Sequence, residues 1–508
     1  MKGKNSGCSS SEEDRISNLP DSLIHHILSF IDTKFAVQTC VLSKRWRYIW
    51  TSMPMLNFSN ACHRRESDDD EDCGDEGVNL INRFQKFVDK VLSLRDSDIQ
   101  RFHLECSLYY MNCDDLYGCI NRWVAAAVSH NVQELHIEAK PDEDFEIPLC
   151  LYTCKSLTKL DLELFGFQEG DMDVCISKII LPHSMSFPRL KSLHLRLSYV
   201  LFTDEKLTRK FFSSFPNLES LVIAYWGPDE GGFLDMNLKI SLPQLKHFEF
   251  NSPEEECNCE VTLHAPSLSS FIFNSHLSTS FTLENLSSLV TADVEINVNW
   301  KDEIPNSCAQ RLMRFFRGLY KVKILTLRHS FIKALGGALV ILDTQLLEFY
   351  NLQCLELRTY LSKYCLRSIF YVLKNSPNLE SVSLQIPQEC YYDPREYPHF
   401  DEVKINHENV EDYWYAGLSS QCMIRHLKFV EIDGLRGCIY ELKLLEILLK
   451  HATVLEKVVL AYHSTKQDWL REKRMKKFNE MLLMFPRASK NINFLFKFSK
   501  VTLPSSFW

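Results

Sequence analysis

The sequence predicts an α+β fold that has a small three-helix module at the N-terminus, a curved solenoid of repeats with a parallel sheet and outer helices, and a C-terminal α/β cap. A short apolar motif recurs along most of the 508 residues. Each copy contains two apolar residues two positions apart, which is typical of a strand with one buried face. Several intervals between copies have the apolar spacing of a helix, as in Leu312, Phe315, Phe316 and Leu319.

The N-terminal module, residues 15–60, contains three short amphipathic patterns. Pro20 can open the first helix, because the first helical N–H has no partner within its own helix. Thr33 and Ser43 are candidate N-caps of the second and third helices. The apolar positions are Leu23, Ile24, Ile27, Leu28 and Ile31 in the first pattern, Phe35, Ala36 and Val37 in the second, and Trp46, Ile49 and Trp50 in the third.

A module of this size buries too little apolar surface to be stable alone, and two interpretations are open. A partner protein could complete its core, or the module could be a helical cap on the repeats. On either side, residues 1–14 predict a disordered polar tail, and the acidic residues within 61–79 predict a flexible linker.

The repeats are assigned to residues 80–418, and the motif continues beyond them. Spacings of mostly 21 to 33 residues are typical of leucine-rich repeats, which stack so that neighbours share one core. An ordinary α/β domain with parallel strands is the alternative. The motifs begin at Ile99, Val132, Leu157, Leu190, Leu218, Leu245, Leu268, Leu289, Val322, Leu352, Leu379, Leu427 and Leu455.

Strand alternation predicts which residues of the repeats face a partner. Residues between and after the paired apolar positions point away from the core, to the concave face of the solenoid. The early repeats place Glu105, Glu138, Asp161 and Glu163 there, an acidic patch that would favour a basic protein target. Ordinary solvated charges on strands are the alternative. The candidate substrate-binding residues are Glu138, Asp161, Glu163, Arg196, Arg328, Glu356 and Arg358.

The C-terminal part, residues 419–495, predicts a strand, a turn, a long amphipathic helix and a second strand, followed by a tail at 496–508. The polar, aromatic segment ECYYDPREYPHFDE before it predicts a loop insertion or a domain junction. A shield for the core of the last repeat is the simplest role for this region.

Composition and motifs argue against most kinds of chemistry. The net charge of -9 disfavours nucleic-acid binding, and only 16 glycines argue against Gly-rich phosphate loops. No catalytic motif is found, and the pairs Cys257/Cys259 and Cys150/Cys154 lack the further ligands of a zinc site. The sequence therefore predicts a non-enzymatic protein with no cofactor, no metal and no nucleic-acid or membrane partner. The absence of an apolar leader predicts an intracellular protein, in the nucleus or the cytoplasm, with reduced cysteines.

The stretch LPDSLIHHILSFI, followed by TKFAVQTCVLSKRWRYIW, resembles the F-box of plant F-box/leucine-rich-repeat proteins. The region from about Gln421 resembles the FBD region that ends many of them. The resemblance implies that the F-box binds a SKP-type adaptor and, through it, a cullin scaffold. The residues that would face the adaptor are Leu19, Pro20, Ile24, Ile27, Leu28, Val41, Leu42 and Trp46, some of which could instead pack internally.

The resemblance also implies a function. The chain would be the substrate-recognition subunit of an SCF-type cullin-RING ubiquitin ligase, with the repeats binding a protein target. Two alternatives stay open: an interaction scaffold whose F-box has no role in ubiquitylation, and a repeat-based sensor of a small molecule.

Overall fold

The computed structural model divides into two compact units, Met1–Phe202 and Thr203–Trp508. It describes residues 18–60, 74–106, 116–140, 144–166, 177–226, 236–252, 259–298, 304–341, 347–387, 424–463 and 469–499. The predicted N-terminal tail, most of the predicted acidic linker and the ECYYDPREYPHFDE segment lie outside these residues. The predicted C-terminal tail, 496–508, lies outside them only from residue 500, and its predicted start is wrong because a strand continues to Ser499.

The N-terminal module contains two α-helices, α1 (Asp21–Leu28) and α2 (Thr33–Gln38), then 3-10 turns at Thr39–Val41 and Ile49–Ser52 and strand β1 (Met55–Ser59). The predicted third α-helix is therefore wrong. Pro54 disfavours helical backbone at the residue before it, and Met53 accordingly has φ -60° and ψ 128°, which ends the segment after one 3-10 turn.

The cap of α2 is also different from the prediction. The side chain of Asp32 accepts a hydrogen bond of 2.6 Å from the backbone N–H of Lys34. Thr33 is instead the first helical residue, and its buried hydroxyl accepts from the backbone N–H of Asn57 at 2.8 Å. This side chain therefore connects α2 to β1.

The first unit contains a parallel sheet in the order β1-β2-β3-β5-β7 and a three-stranded sheet in the order β4-β6-β8. Helix α3 begins at Gly74, so the chain is helical before the predicted end of the linker at residue 79. The elements after β1 are α3 (Gly74–Ser93), β2 (Arg101–Cys106), α4 (Leu116–Ser129), β3 (Glu134–Ala139), β4 (Phe145–Glu146), β5 (Lys159–Phe165), β6 (Ser177–Ile180), β7 (Ser192–Ser198) and β8 (Val200–Leu201).

The second unit contains a longer parallel sheet, in which β9, β11, β13 and β15 to β21 are neighbours in that order, and the three-stranded sheet β10-β12-β14. Its elements are α5 (Glu205–Ser213), β9 (Ser220–Trp226), β10 (Met236–Ser241), β11 (His247–Ser252), β12 (Cys259–His264), β13 (Ser270–His276), β14 (Ser280–Glu284), β15 (Thr291–Asn297), α6 (Asn306–Arg317), β16 (Ile324–Arg328), α7 (His329–Ile341), β17 (Cys354–Arg358), α8 (Lys363–Lys374), β18 (Ser381–Gln385), β19 (Phe429–Leu435), α9 (Ile439–His451), β20 (Lys457–His463), α10 (Trp469–Met484) and β21 (Asn493–Ser499).

The recurring motif marks the sheet strands, as predicted. Every predicted motif start, from Ile99 to Leu455, is at most 3% exposed and lies two residues before a strand of these parallel sheets. The following apolar pairs, such as Leu160 and Leu162, are also buried. Stacked strands therefore share one core within each unit, and the large parallel sheets agree with leucine-rich repeats.

The prediction of helices opposite the sheet is only partly correct. Helices α3 to α8 lie between strands, but β4, β6, β8, β10, β12 and β14 occupy the same place in the middle repeats. The short interval between Leu268 and Leu289 has room for a strand but not for a helix of ordinary length. Phe281 of β14 instead contacts the rings of Phe250 and Phe273 at centroid distances of 5.7 and 4.9 Å.

The C-terminal region has the predicted order of strand, turn, helix and strand in β19, α9 and β20. The sequence did not indicate β21, which pairs in parallel with β20. Glu441 is buried at the start of α9, where its carboxylate accepts from the backbone N–H groups of Arg436, Gly437 and Cys438. Burial nevertheless raises the pKa of Glu441 to about 7.

We predict that Glu441→Gln changes the pH dependence of stability. An acid whose pKa is higher in the folded state favours the folded state only while protonated, so its contribution is lost as the pH rises from about 4.5 to about 7. Glutamine does not titrate, so the stability of the variant does not decrease in this way. The difference in free energy of unfolding between wild type and variant should therefore decrease by up to about 3 kcal/mol between pH 5 and pH 8, measured by urea denaturation. A difference independent of pH would contradict the prediction.

We also predict that Gly336→Ala destabilises the second unit. A Cβ at Gly336 of α7 would lie 2.2 Å from the carbonyl oxygen of Tyr364 in α8, so the helices would have to separate. The expected loss is roughly 1–3 kcal/mol in thermal or chemical denaturation. Gly337→Ala on the same helix is the matched control and should be neutral or stabilising, because alanine favours helix. Equal effects of the two substitutions would contradict this account.

Candidate partner-binding sites

The N-terminal module exposes several large apolar side chains. Ile27 is 50% exposed, Leu42 64% and Val41 83%. We call the complete set the apolar module surface; its members are Leu23, Ile27, Phe30, Ile31, Phe35, Val41, Leu42 and Tyr48. Single exposed apolar residues are common on proteins, but this many within one short module indicates an interaction surface.

The structure divides the predicted adaptor-facing residues into two groups. Ile24, Leu28 and Trp46 are at most 4% exposed and therefore form the core of the module. Ile27, Val41 and Leu42 belong to the apolar module surface. Pro20 is exposed and Leu19 is partly exposed, so these two are accessible as well.

Hydrogen bonds hold the parts of the module together. Arg45 donates to the backbone carbonyl of Leu19 and forms an ion pair of 2.6 Å with Asp21, so the start of α1 is fixed to the loop before the 3-10 turn. Nε2 of His25 lies 3.1 Å from the carbonyl oxygen of Ile49. These contacts position the exposed residues of α1 relative to Val41 and Leu42.

Sequence reasoning missed Phe30 and Tyr48 of the apolar module surface, and it assigned Phe35, which is 56% exposed, to the apolar pattern of α2. Leu23 and Ile31 were assigned to the apolar stripe of α1, yet they are 48% and 38% exposed. An eight-residue helix has only one narrow buried face, here Ile24 and Leu28. The sequence has more apolar residues in and around α1 than this face can bury, and that excess could have indicated an exposed apolar surface.

The polar positions of the first unit form two rows across its parallel strands. One row runs through His103, His136, Asp161 and His194, and the next through Glu105, Glu138, Glu163 and Arg196. This order is the one that strand alternation predicted. We call these residues together the histidine–carboxylate rows.

Asp161 is the most buried of these carboxylates, with 9% of the residue exposed. Its carboxylate lies 3.2 Å from Nδ1 of His136, 3.7 Å from Nδ1 of His194 and 3.5 Å from Nη1 of Arg196. Burial alone would raise the pKa of Asp161, but the hydrogen bonds from the two histidines lower it well below its usual range. Asp161 therefore acts as the internal counterion of its neighbours.

The other carboxylates of the histidine–carboxylate rows are more accessible. Nη1 of Arg196 lies 2.9 Å from Glu163, whereas burial and the adjacent charges of Glu105 and Glu163 raise the pKa of Glu138. Burial and the neighbouring His136 lower the pKa of His103 to about 4, so its ring is neutral at pH 7. Of the predicted acidic patch, Glu105, Glu138 and Glu163 are therefore the accessible members, whereas Asp161 is buried.

In the second unit, the predicted residues have different surroundings. Arg328 donates to both oxygens of Asp293, at 2.8 and 2.9 Å. Glu356 accepts from the hydroxyl of Thr326 at 3.1 Å, and Arg358 is exposed. Arg358 is thus the most accessible of the three predicted residues.

Glu295 is an acidic residue of this face that, like Asp293, was not among the predicted site residues. Glu295 accepts from the backbone N–H of Ser330 at 3.0 Å, at the start of α7. Burial raises the pKa of Glu295 to about 7. Its place in the row could be read from the alternation, but its burial could not.

The described residues bring three possible metal ligands together, His136, Glu138 and Glu163, with one ligand atom of each within 4.8 Å of the others. Of the cysteine pairs, Cys154 is buried and Cys150 partly buried, both as free thiols, and Cys257 lies outside the described residues. Among the helices of the described ranges, none is long and apolar enough to cross a membrane.

Comparison with known proteins finds three matching family models. The F-box domain matches residues 16–58, the LRR repeats of the FBD-associated F-box protein At5g56370 match residues 120–286, and FBD matches residues 419–460. Similar proteins include the F-box/FBD/LRR-repeat protein At5g53840 of Arabidopsis thaliana, which is 29% identical over 96% of both chains. The putative F-box/FBD/LRR-repeat protein At4g03220 of the same plant is 28% identical over 91% of this chain and 92% of its own length.

The apolar module surface and the parallel repeat sheets, together with these matches, define a repeat protein that carries an F-box and an FBD region. Over most of its length the chain is similar to F-box/FBD/LRR-repeat proteins of Arabidopsis thaliana.

We predict that Asp161→Asn destabilises the first unit. The substitution removes the charge that His136, His194 and Arg196 share, and leaves the two histidines partly buried without this carboxylate, while Arg196 keeps Glu163. Loss of a buried charge-assisted contact costs roughly 1–3 kcal/mol, measurable by chemical denaturation. The control is Glu134→Gln, which removes a more exposed pair with Arg101 at 2.8 Å and should cost less than about 1 kcal/mol. The prediction is wrong if both variants lose the same stability.

Proposed function

We propose that this protein is the non-catalytic substrate-recognition subunit of an SCF-type cullin-RING ubiquitin ligase, acting in the nucleus or the cytoplasm. The F-box binds a SKP-type adaptor and, through it, a cullin scaffold. The repeat sheets bind a protein target. Catalysis then consists of bringing a lysine of the target close to the ubiquitin-charged enzyme, which raises the effective concentration of the two reactants.

The apolar module surface carries the adaptor part of the proposal. Ile27, Val41 and Leu42 are accessible, whereas Ile24, Leu28 and Trp46 form a core beneath them. An interface needs such apolar anchors on a rigid support, because a few well-packed side chains supply most of the binding energy. The match to the F-box domain family supports a SKP-type adaptor as the occupant.

The polar rows of the repeat sheets support the target-binding part. In the first unit Glu105, Glu138 and Glu163 offer negative charge, with Arg196 beside them. In the second unit Arg358 is exposed, while Arg328 and Glu356 are held by their neighbours. We therefore expect a target with basic groups to bind the first unit through Glu105, Glu138 and Glu163. Asp161 is not part of this surface, because it is buried and already paired with its neighbours.

The triple variant Ile27→Ala, Val41→Ala, Leu42→Ala tests the adaptor part. These side chains are exposed, so the variant should remain folded, and it should capture a SKP-type adaptor at least 10-fold more weakly than wild type in a purified binding assay. Leu19→Ala, Pro20→Ala is a second variant, at the start of α1.

The matched control is Val340→Ala, which truncates a valine that is 60% exposed in the repeats. It should capture the adaptor like wild type. Normal capture by the folded triple variant would overturn the proposed interface. Adaptor binding without F-box-dependent turnover of any bound target would favour the interaction scaffold instead.

A further inference from the structure

The histidine–carboxylate rows of the first unit bring together groups whose chemistry goes beyond the proposed target binding, in which Glu138 and Glu163 also take part. An imidazole nitrogen of His136 and one carboxylate oxygen each of Glu138 and Glu163 lie within 4.8 Å of one another. We propose that these three residues bind a divalent transition-metal ion with the properties of Zn²⁺. The proposal is independent of adaptor binding by the F-box.

The sheet itself places the three ligands. His136 and Glu138 are two positions apart on β3, so their side chains leave the same face of the strand. Glu163 of β5 is the register partner of Glu138, in the adjacent parallel strand. The ligands therefore come from rigid strands in the middle of a sheet rather than from loops, which favours a defined coordination geometry.

Asp161 is placed to orient the histidine. Nδ1 of His136 lies 3.2 Å from Oδ2 of Asp161, and donation of the Nδ1–H to this carboxylate leaves the lone pair on Nε2. Metal-binding histidines usually donate a hydrogen bond from the N–H of their second ring nitrogen to a carboxylate or a carbonyl oxygen, which fixes the tautomer and makes the ligand more basic. The ring of His103 stacks on His136, with centroids 4.2 Å apart and an angle of 3° between the planes, and limits its rotation.

The charges around the site favour a cation. Glu105, Glu138 and Glu163 follow one another along one row, and Asp161 lies in the adjacent row. The guanidinium of Arg196 lies 2.9 Å from Glu163 and 3.5 Å from Asp161. It therefore competes with a metal for Glu163, and its removal should strengthen metal binding.

The donor set indicates the class of metal. One imidazole nitrogen and two carboxylate oxygens suit Zn²⁺, which often takes three protein ligands and completes its coordination with water. Ca²⁺ prefers six to eight oxygens, and Mg²⁺ prefers an octahedral set of oxygens, so both fit less well. The side chains of His136 and Glu163 are 18% and 23% exposed, which leaves a path from solvent and room for a water ligand.

The test is titration of the full chain with Zn²⁺ by calorimetry, under reducing conditions. Free thiols also bind Zn²⁺, so binding is compared between wild type and variants that keep every cysteine. Glu138→Gln and Glu163→Gln should each remove one binding event or weaken it at least 10-fold. Asp161→Asn should weaken it about 10-fold through the orientation of His136.

Two further variants make the test independent of folding defects. Arg196→Gln should bind Zn²⁺ more tightly than wild type, a gain that a destabilised chain would not give. Glu134→Gln, which changes an acidic residue of β3 outside the ligand set, should bind like wild type. Equal Zn²⁺ binding by wild type, Glu138→Gln and Glu163→Gln would overturn the proposal. Ca²⁺ binding as tight as Zn²⁺ binding would do so too, because it would indicate a simple acidic surface.

Discussion

The stacking of identical strand positions is the constraint on which the rest of the structure depends. Each strand of the long parallel sheets except β21 is preceded by a buried apolar residue and contributes further apolar side chains to the core. A shift of one strand by a single residue would turn these side chains to solvent and charged ones to the core. Within each unit, burial therefore fixes the register, and the described pairings keep it except at Gly434, where a positive φ of 87° accompanies a shift near Asp433.

The same register determines the chemistry of the opposite face of the sheet. Residues at equal positions of neighbouring strands are only about 4.8 Å apart, so like charges repel and unlike charges form pairs. His136, Asp161 and Arg196 form such a neutralising network in the first unit, and Asp293 and Arg328 do so in the second. Such pairing removes charge from the surface that a partner would meet. The carboxylates with the least compensation by nearby cations, such as Glu138, therefore contribute most of the charge that a partner would meet.

Much of this architecture could be predicted from the sequence, because the apolar motif has both a recognisable period and a direct physical cause. The rows of polar residues followed from alternation. What the sequence could not provide was the pairing of side chains across strands: Asp161 looked like part of an open acidic patch until the two histidines and Arg196 were placed around it. The prediction of the third module helix was wrong in a different way, since the segment of Trp46, Ile49 and Trp50 contains turns and one 3-10 turn, which Pro54 ends at Met53.

The N-terminal module illustrates how a small fold can combine stability with an exposed apolar surface. Ile24, Leu28 and Trp46 form its core, and β1 extends the parallel sheet of the first unit by pairing with β2. Support from the sheet means that the module does not need its remaining apolar side chains for its own stability. Ile27, Val41 and Leu42 are thus available for binding without a competing role in folding. A module of this size that folded alone would need these apolar side chains for its own core.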